Sequence, residues 1–298
     1  MNGAQIRGLA LCVVGTLVLT TSARATFHLM QIEQVIGGVN DDPSAQAIQL
    51  RMRSPFQNIV SNAQLVAYDA AGLNPVIVMN MTNNVANSSA GDRVLIVSTN
   101  FANYSSPVMA ADFVMTRTIP TNYLAAGRLT FEQDTGAIYW SLSWGGTNYT
   151  GSNIGEATHA NDTDGNFGPA FPGDLPTSST QSLIFTNIAS ALSRSKIVDY
   201  VITAGSAVFT NNARARFVVV PAPVMLTFTN VGNDVRVPWT AAGGRSYVLE
   251  AVSGDIANGF TNITGTITVP GVGPTTTNAL DVGGWTNSAR FYRVRLLP

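Results

Sequence analysis

The chain has 298 residues, with 16 basic and 17 acidic side chains, two histidines and one cysteine, for a formal net charge of −1. That length accommodates one large domain or two smaller ones, and a hydrophobic content of 45% excludes a disordered chain. Charged residues make up only 11%, against about 25% in an ordinary soluble domain. The surface must therefore rely on Asn, Thr, Ser and Gln, and the near-neutral balance gives no general pull toward nucleic acid or anionic lipid.

Residues 1–25 read as a cleaved secretory signal peptide. Arg7 supplies the basic start, Leu9 to Leu19 the apolar stretch and Ala23-Arg24-Ala25 the small-residue cleavage pattern. The apolar stretch is shorter than the roughly 20 residues a spanning helix needs. Cleavage after Ala25 removes Arg7, Arg24 and Cys12, which leaves 14 basic against 17 acidic residues and a net charge of about −3. A mature chain without cysteine has neither a disulfide nor a thiolate metal site, so its stability must come from core burial. The expected location is outside the cell or on its surface, with no spanning segment after cleavage.

Thr26 to Val35 is the first expected strand, followed by turns at Gly37-Gly38 and Asn40 to Pro43. In Ala47 to Arg53, Ile48, Leu50 and Met52 alternate with Gln49, Arg51 and Arg53, the pattern of a half-buried strand with a wet outer face. Ser54-Pro55 ends it. Ala63 to Asp69 is the next strand. Val76 to Met79 and Arg93 to Val97 are continuous apolar runs, expected to be covered on both faces. Gly127 to Glu132 and Ala137 to Trp144 form a hairpin pair around Asp134-Thr135-Gly136. Thr147 to Ser179 is a long Gly-, Asn-, Asp-, Thr- and Pro-rich loop of the kind that is often functional. Gln181 to Phe185 resumes a strand, Asn187 to Arg194 reads as a short helix, and Ile197 to Thr203, Ala207 to Thr210 and Ala213 to Val220 read as further strands.

Pro221-Ala222-Pro223 marks a stiff linker. The domain organisation is then residues 26–220, linker 221–223, and a small β module over 224–298. In that module Val235, Val237 and Trp239 alternate with Arg236 and Pro238, and Tyr292, Val294 and Leu296 alternate with Arg293 and Arg295. Short strands with turn signals about every ten residues give an all-β expectation, a sandwich with long loop insertions plus a small C-terminal β-sandwich.

Ile32-Glu33-Gln34-Val35, Ala47-Ile48-Gln49-Leu50 and Gly91 to Val97 resemble the strands of bacterial lamin-tail-like domains over about residues 28–101. Gln46 and Gln49 stand where that family carries acidic residues, and Asn62 to Val66 replaces its Gly-Trp strand. The resemblance implies an immunoglobulin-like sandwich acting as an extracellular interaction module, and it brings no catalytic set. Val235 to Trp239, Ser246 to Glu250 and Phe291 to Arg295 resemble a C-terminal module of large secreted bacterial proteins, which implies an accessory role.

Three features carry candidate chemistry. Asp162, Asp164 and Asn166 group oxygen ligands around Gly165, as a calcium loop does. Ala160 and Phe171 fall where an EF-hand needs its first and last ligands, so no EF-hand is present, and the bland reading is a polar turn. Trp140, Leu142 and Trp144 share one strand face, with Tyr149 nearby; exposed they would stack on sugar rings, buried they are ordinary core. His28 and His159 are far apart in sequence, which disfavours a zinc site of nitrogen ligands. A G-x-S-x-G elbow and a P-loop are missing, and Glu132, Asp134, Glu156, Asp162 and Asp164 cannot be paired by spacing into a glycosidase dyad. The expected function is that of a secreted or cell-surface, non-catalytic binding, adhesion or structural protein, with a surface protein or glycan as partner and self-association as a structural variant. The alternative is a glycan-binding or glycan-active protein that uses Trp140, Trp144 and the 147–179 loop.

Overall fold

The computed structural model describes residues 27–156, 165–187, 196–287 and 289–297. The segment 1–25, expected to be a signal peptide, and most of the helix expected over Asn187 to Arg194 lie outside them. The strands are β1 Met30–Ile36, β2 Ala47–Met52, β3 Ala63–Tyr68, β4 Val76–Asn80, β5 Arg93–Val97, β6 Ser105–Ser106, β7 Phe113–Val114, β8 Gly127–Gln133 and β9 Ile138–Trp144. Next come β10 Leu183–Phe185, β11 Tyr200–Ile202, β12 Val208–Thr210 and β13 Arg216–Val219. Beyond Pro221–Pro223 lie β14 Thr229–Val231, β15 Asp234–Gly243, β16 Ser246–Ser253, β17 Thr261–Asn262, β18 Ile267–Thr268, β19 Gly273–Asp281 and β20 Arg290–Leu296.

The first sheet has the order β11-β10-β1-β2-β5-β7 and the second β4-β3-β8-β9. Their facing sides interdigitate in one core, with Ile32, Ile48, Leu50 and Ile96 from the first sheet and Leu65, Phe131, Trp140 and Leu142 from the second. This is an all-β sandwich. A third, small sheet of β12-β13-β6 lies on the other side of the first. It closes a second core in which Leu95 and Val97 meet Phe101, Phe209 and Phe217. The first sheet is therefore covered on both faces, as the apolar run of β5 requires.

Two expectations change. The polar face of β2 is not wet: Gln49 is 2% and Arg53 6% exposed. Conversely, β4 is not covered twice, because it forms the edge of the second sheet and its Ile77 is 45% exposed. Lys196–Asp199, where the sequence reads as strand, is a single helical turn that enters β11.

After Pro223 the chain builds a third core from Val235, Val237, Trp239, Tyr247 and Leu249, with Tyr292, Val294 and Leu296 packed against it from β20. The alternation read in that last strand is thus the one observed. Its β15–β16 turn docks on the segment between β5 and β7. Ser106 Oγ donates to the Gly243 carbonyl and accepts from the Gly273 amide at 3.2 Å, and Arg245 Nη1 reaches the Ala102 carbonyl at 3.1 Å.

The outer side of the second sheet carries Arg128, Thr130, Glu132, Ser141 and Ser143, all buried. The chain after β9 folds back over it, with Gly146 N–H on the Phe171 carbonyl at 2.8 Å and Phe171 N–H on that of Ser143 at 2.9 Å. Arg128 bonds Ser141 Oγ at 2.7 Å and the Ile154 carbonyl at 2.8 Å. Burial pushes the Glu132 carboxyl up to about 7, and the Gln64 hydrogen bond at 3.2 Å and the Arg128 charge only partly oppose this. Between about pH 4.5 and 7 the folded chain holds a proton on Glu132 that the unfolded chain has released. Stability then falls as pH rises through that window, by on the order of 3 kcal/mol in all. Urea unfolding at pH 5 and pH 8 should show this loss, and Glu132→Gln should flatten it.

Candidate functional site

A cleft of about 550 Å³ opens where the turn between β12 and β13 meets the outer side of β1, β2 and β5. Its floor depends on a bulge in β1. The register passes from Ile32 opposite Leu50 directly to Gln34 opposite Gln49, so Glu33 is the extra residue. A bulge re-aims side chains. Here Glu33 and Gln34 both line the cleft, while Ile32 and Val35 on either side remain in the main core.

Glu33 is almost fully buried and is held from three directions. Arg51 Nη1 lies 3.0 Å from Oε1, Arg93 is bidentate at 2.7 and 3.0 Å, and Gln49 Nε2 donates at 2.7 Å. Gln49 in turn accepts the Thr210 amide, which fixes β12 to the sheet, and Gln34 donates to Ser182 Oγ at 2.7 Å. Burial draws the Arg51 guanidinium below its ordinary value, and the Glu33 charge works against that. Planar forks of this kind suit a carboxylate with two acceptor edges.

The rim is set by the turn Asn211–Ala215. Arg214 sits there with φ 66°, in the left-handed region, and pairs with Asp92 at 2.9 Å. Burial alone would raise the Asp92 carboxyl, but bonds from Arg214 and from the Ser89 amide outweigh it and hold it below the usual range. Asn212 pins the turn, exchanging bonds with Asn87 at 2.7 and 3.0 Å and donating to the Arg93 carbonyl at 3.0 Å. Arg216 is exposed at the mouth without a partner among the described residues. Three guanidinium groups (Arg93, Arg214, Arg216) line the cleft with two carboxylates, Glu33 and Asp92, and Arg51 holds Glu33 from outside it. Such an excess favours an anionic group on a ligand.

The residues singled out in the sequence lie elsewhere. Trp140 and Trp144 have no exposure at all and belong to the sandwich core. Trp140 donates to the Tyr200 hydroxyl and Trp144 to the Tyr123 carbonyl, each at 2.8 Å. Tyr149 is 7% exposed, with its hydroxyl turned onto the Ser152 carbonyl. The three do not form a stacking face, because the first sheet covers one side of β9 and the returning loop the other. Asp162, Asp164 and His159 lie outside the described residues. Asn166 is exposed and accepts the Gly168 amide at 3.0 Å, as a local turn does. Among the described residues no group of three His, Cys, Asp or Glu side chains comes together as a metal site would require.

Glu33 was not singled out as a site residue. Its signal was present in Ile32-Glu33-Gln34-Val35, where two adjacent polar residues interrupt an alternating strand, as a bulge would. Comparison with known proteins finds no matching family model, curated protein or solved structure.

Removing Glu33 would strand two partly buried guanidinium groups. Glu33→Ala should cost about 3–5 kcal/mol in urea unfolding, whereas Arg214→Ala, whose side chain is 63% exposed, should cost no more than about 1 kcal/mol.

Proposed function

We propose that this chain is a secreted or cell-surface binding protein without a catalytic role, with the arginine-rich cleft as its ligand-facing surface. The carrying observation is how the cleft's ionisable groups are engaged. Glu33 is clamped by two arginines and Asp92 by a third, so both carboxylates are held in fixed orientations by ion pairs. That is the arrangement of a pre-organised receptor, whereas proton transfer needs a group poised near the working pH. The leader over residues 1–25 and the sparsely charged, Asn- and Thr-rich composition support an extracellular setting. The lamin-tail-like resemblance supports an immunoglobulin-like interaction module, with residues 224–298 as an accessory module. The glycan reading that relied on Trp140 and Trp144 loses its support with their burial.

Two measurements test this. N-terminal sequencing of chain recovered outside the producing cells should begin at Thr26; recovery only from inside the cell with the leader intact would overturn the localisation. Sodium glucuronate, a carboxylate probe, should raise the melting temperature above that in sodium chloride of equal ionic strength, since a ligand that binds the native state stabilises it. Arg216→Ala should remove the difference. An equal melting temperature in both salts would remove the cleft from the proposal.

A further inference from the structure

The C-terminal module holds a second cleft, of about 340 Å³, at the low end of small-ligand sites. Its wall is the indole of Trp285, 60% exposed, whereas Trp140, Trp144 and Trp239 are completely buried. Tryptophan is highly buried on average, so its display here needs a local cause. The turn Gly283 to Asn287 provides one. Gly283 has φ 74°, and a Cβ at Gly284 would lie 2.4 Å from Asp281 Oδ2, so the turn lies flat on Asp281 and Trp285 projects past it. The Trp285 indole N–H has no partner among the described residues. Phe228, 43% exposed, stands nearby with its ring edge-on to Tyr292 at 5.2 Å.

The floor is polar, rigid and neutral. Asp281 is 4% exposed and accepts from Arg290 at 2.7 and 2.9 Å and from the Tyr292 hydroxyl at 2.9 Å. The two formal charges cancel within one bidentate pair. Asn287 makes only long bonds, 3.3 Å to the Gly283 and Gly284 carbonyls and 3.3 Å from Ser253 Oγ, so its amide retains capacity for a ligand.

A flat exposed ring, an unpaired N–H, an available amide and a floor without net charge match a ligand with one apolar face, a hydroxyl-bearing rim and no charge. We propose that this cleft binds a neutral saccharide ring, stacked on Trp285 through its C–H face and hydrogen-bonded at its rim by Asn287 and the indole N–H. The site is separate from the arginine-rich cleft and does not depend on that reading.

Isothermal calorimetry of the full chain with cellohexaose, chitohexaose and mannohexaose, each at millimolar concentration, tests it. At least one should bind. Trp285→Ala should weaken that binding by about tenfold or more while leaving the melting temperature in place, and Trp285→Phe should retain part of it. No heat with any of the three sugars, or equal affinity in Trp285→Ala, would overturn the proposal. So would a dimer in sedimentation that Trp285→Ala converts to monomer, because the indole would then be an interface between copies. Arg216→Ala should leave sugar binding unchanged, so failure at one cleft cannot be mistaken for failure at the other.

Discussion

A sheet covered on both faces has no solvent side to which polar side chains can be sent, and the rest of this structure is arranged around that constraint. β1, β2 and β5 need apolar residues toward the sandwich core, yet Glu33, Gln49 and Arg93 all project to the other side, toward the β12–β13 hairpin, and Arg51 reaches Glu33 there. Desolvating a lone carboxylate there would cost several kcal/mol. The bulge at Glu33 resolves this by presenting the carboxylate where two guanidinium groups and an amide converge on it. The apolar part of the same face is closed separately, by Leu95 and Val97 against Phe209 and Phe217. One face is thus divided into a dry half that holds the third layer and an ionic half that opens to solvent as a cleft.

The same logic governs the second sheet. Its outer side is polar and is covered by the chain returning after β9: Arg128 donates to Ser141 and to the loop backbone at Ile154, and Ser143 donates to Asn153. Beneath it, Trp140 donates to Tyr200, and Tyr200 donates to the Ile32 carbonyl, one residue before the bulge. A buried chain of hydrogen bonds therefore ties the second sheet to β11 and to the irregular point of β1. The long loop is consequently an integral wall of the sandwich across its described residues, and the aromatic stripe that drew attention in the sequence is the core of that wall.

Period-two alternation is legible in β2, β15 and β20, because alternation is a local property of the chain, whereas β4 and β5 read as apolar runs and the Thr-rich β19 gives no such pattern. Coverage is not local. Whether Gln49 faces water depends on a hairpin some 160 positions later in the sequence, Arg53 is buried over the Trp140 ring, and β4 reads as a doubly covered strand although it ends as an edge. Trp140 and Trp144 have the same spacing whether they stack on a ligand or lie in the core, Trp140 edge-on to Phe167 and Phe185 and Trp144 bonded to the Tyr123 carbonyl. Glu33 left a legible trace, the adjacent polar pair in an apolar strand, but its arginine partners lie 18 and 60 residues away. Trp285 left none: in a glycine-rich turn there is no periodicity from which to judge exposure.

The two clefts differ in the way their charges are balanced, and that difference separates what each can recognise. In the first, Glu33 is shared by two arginines while Arg216 has no partner among the described residues, so positive charge is in excess. In the second, Arg290 and Asp281 form a closed pair whose remaining donors go to Ser253 and whose acceptor also takes Tyr292, leaving recognition to an aromatic plane and an amide. A charged probe has much to gain at the first and little at the second, and an uncharged ring the reverse. The segment Pro221–Pro223 lies between the elements that build them, and the Ser106 and Arg245 contacts join those elements again.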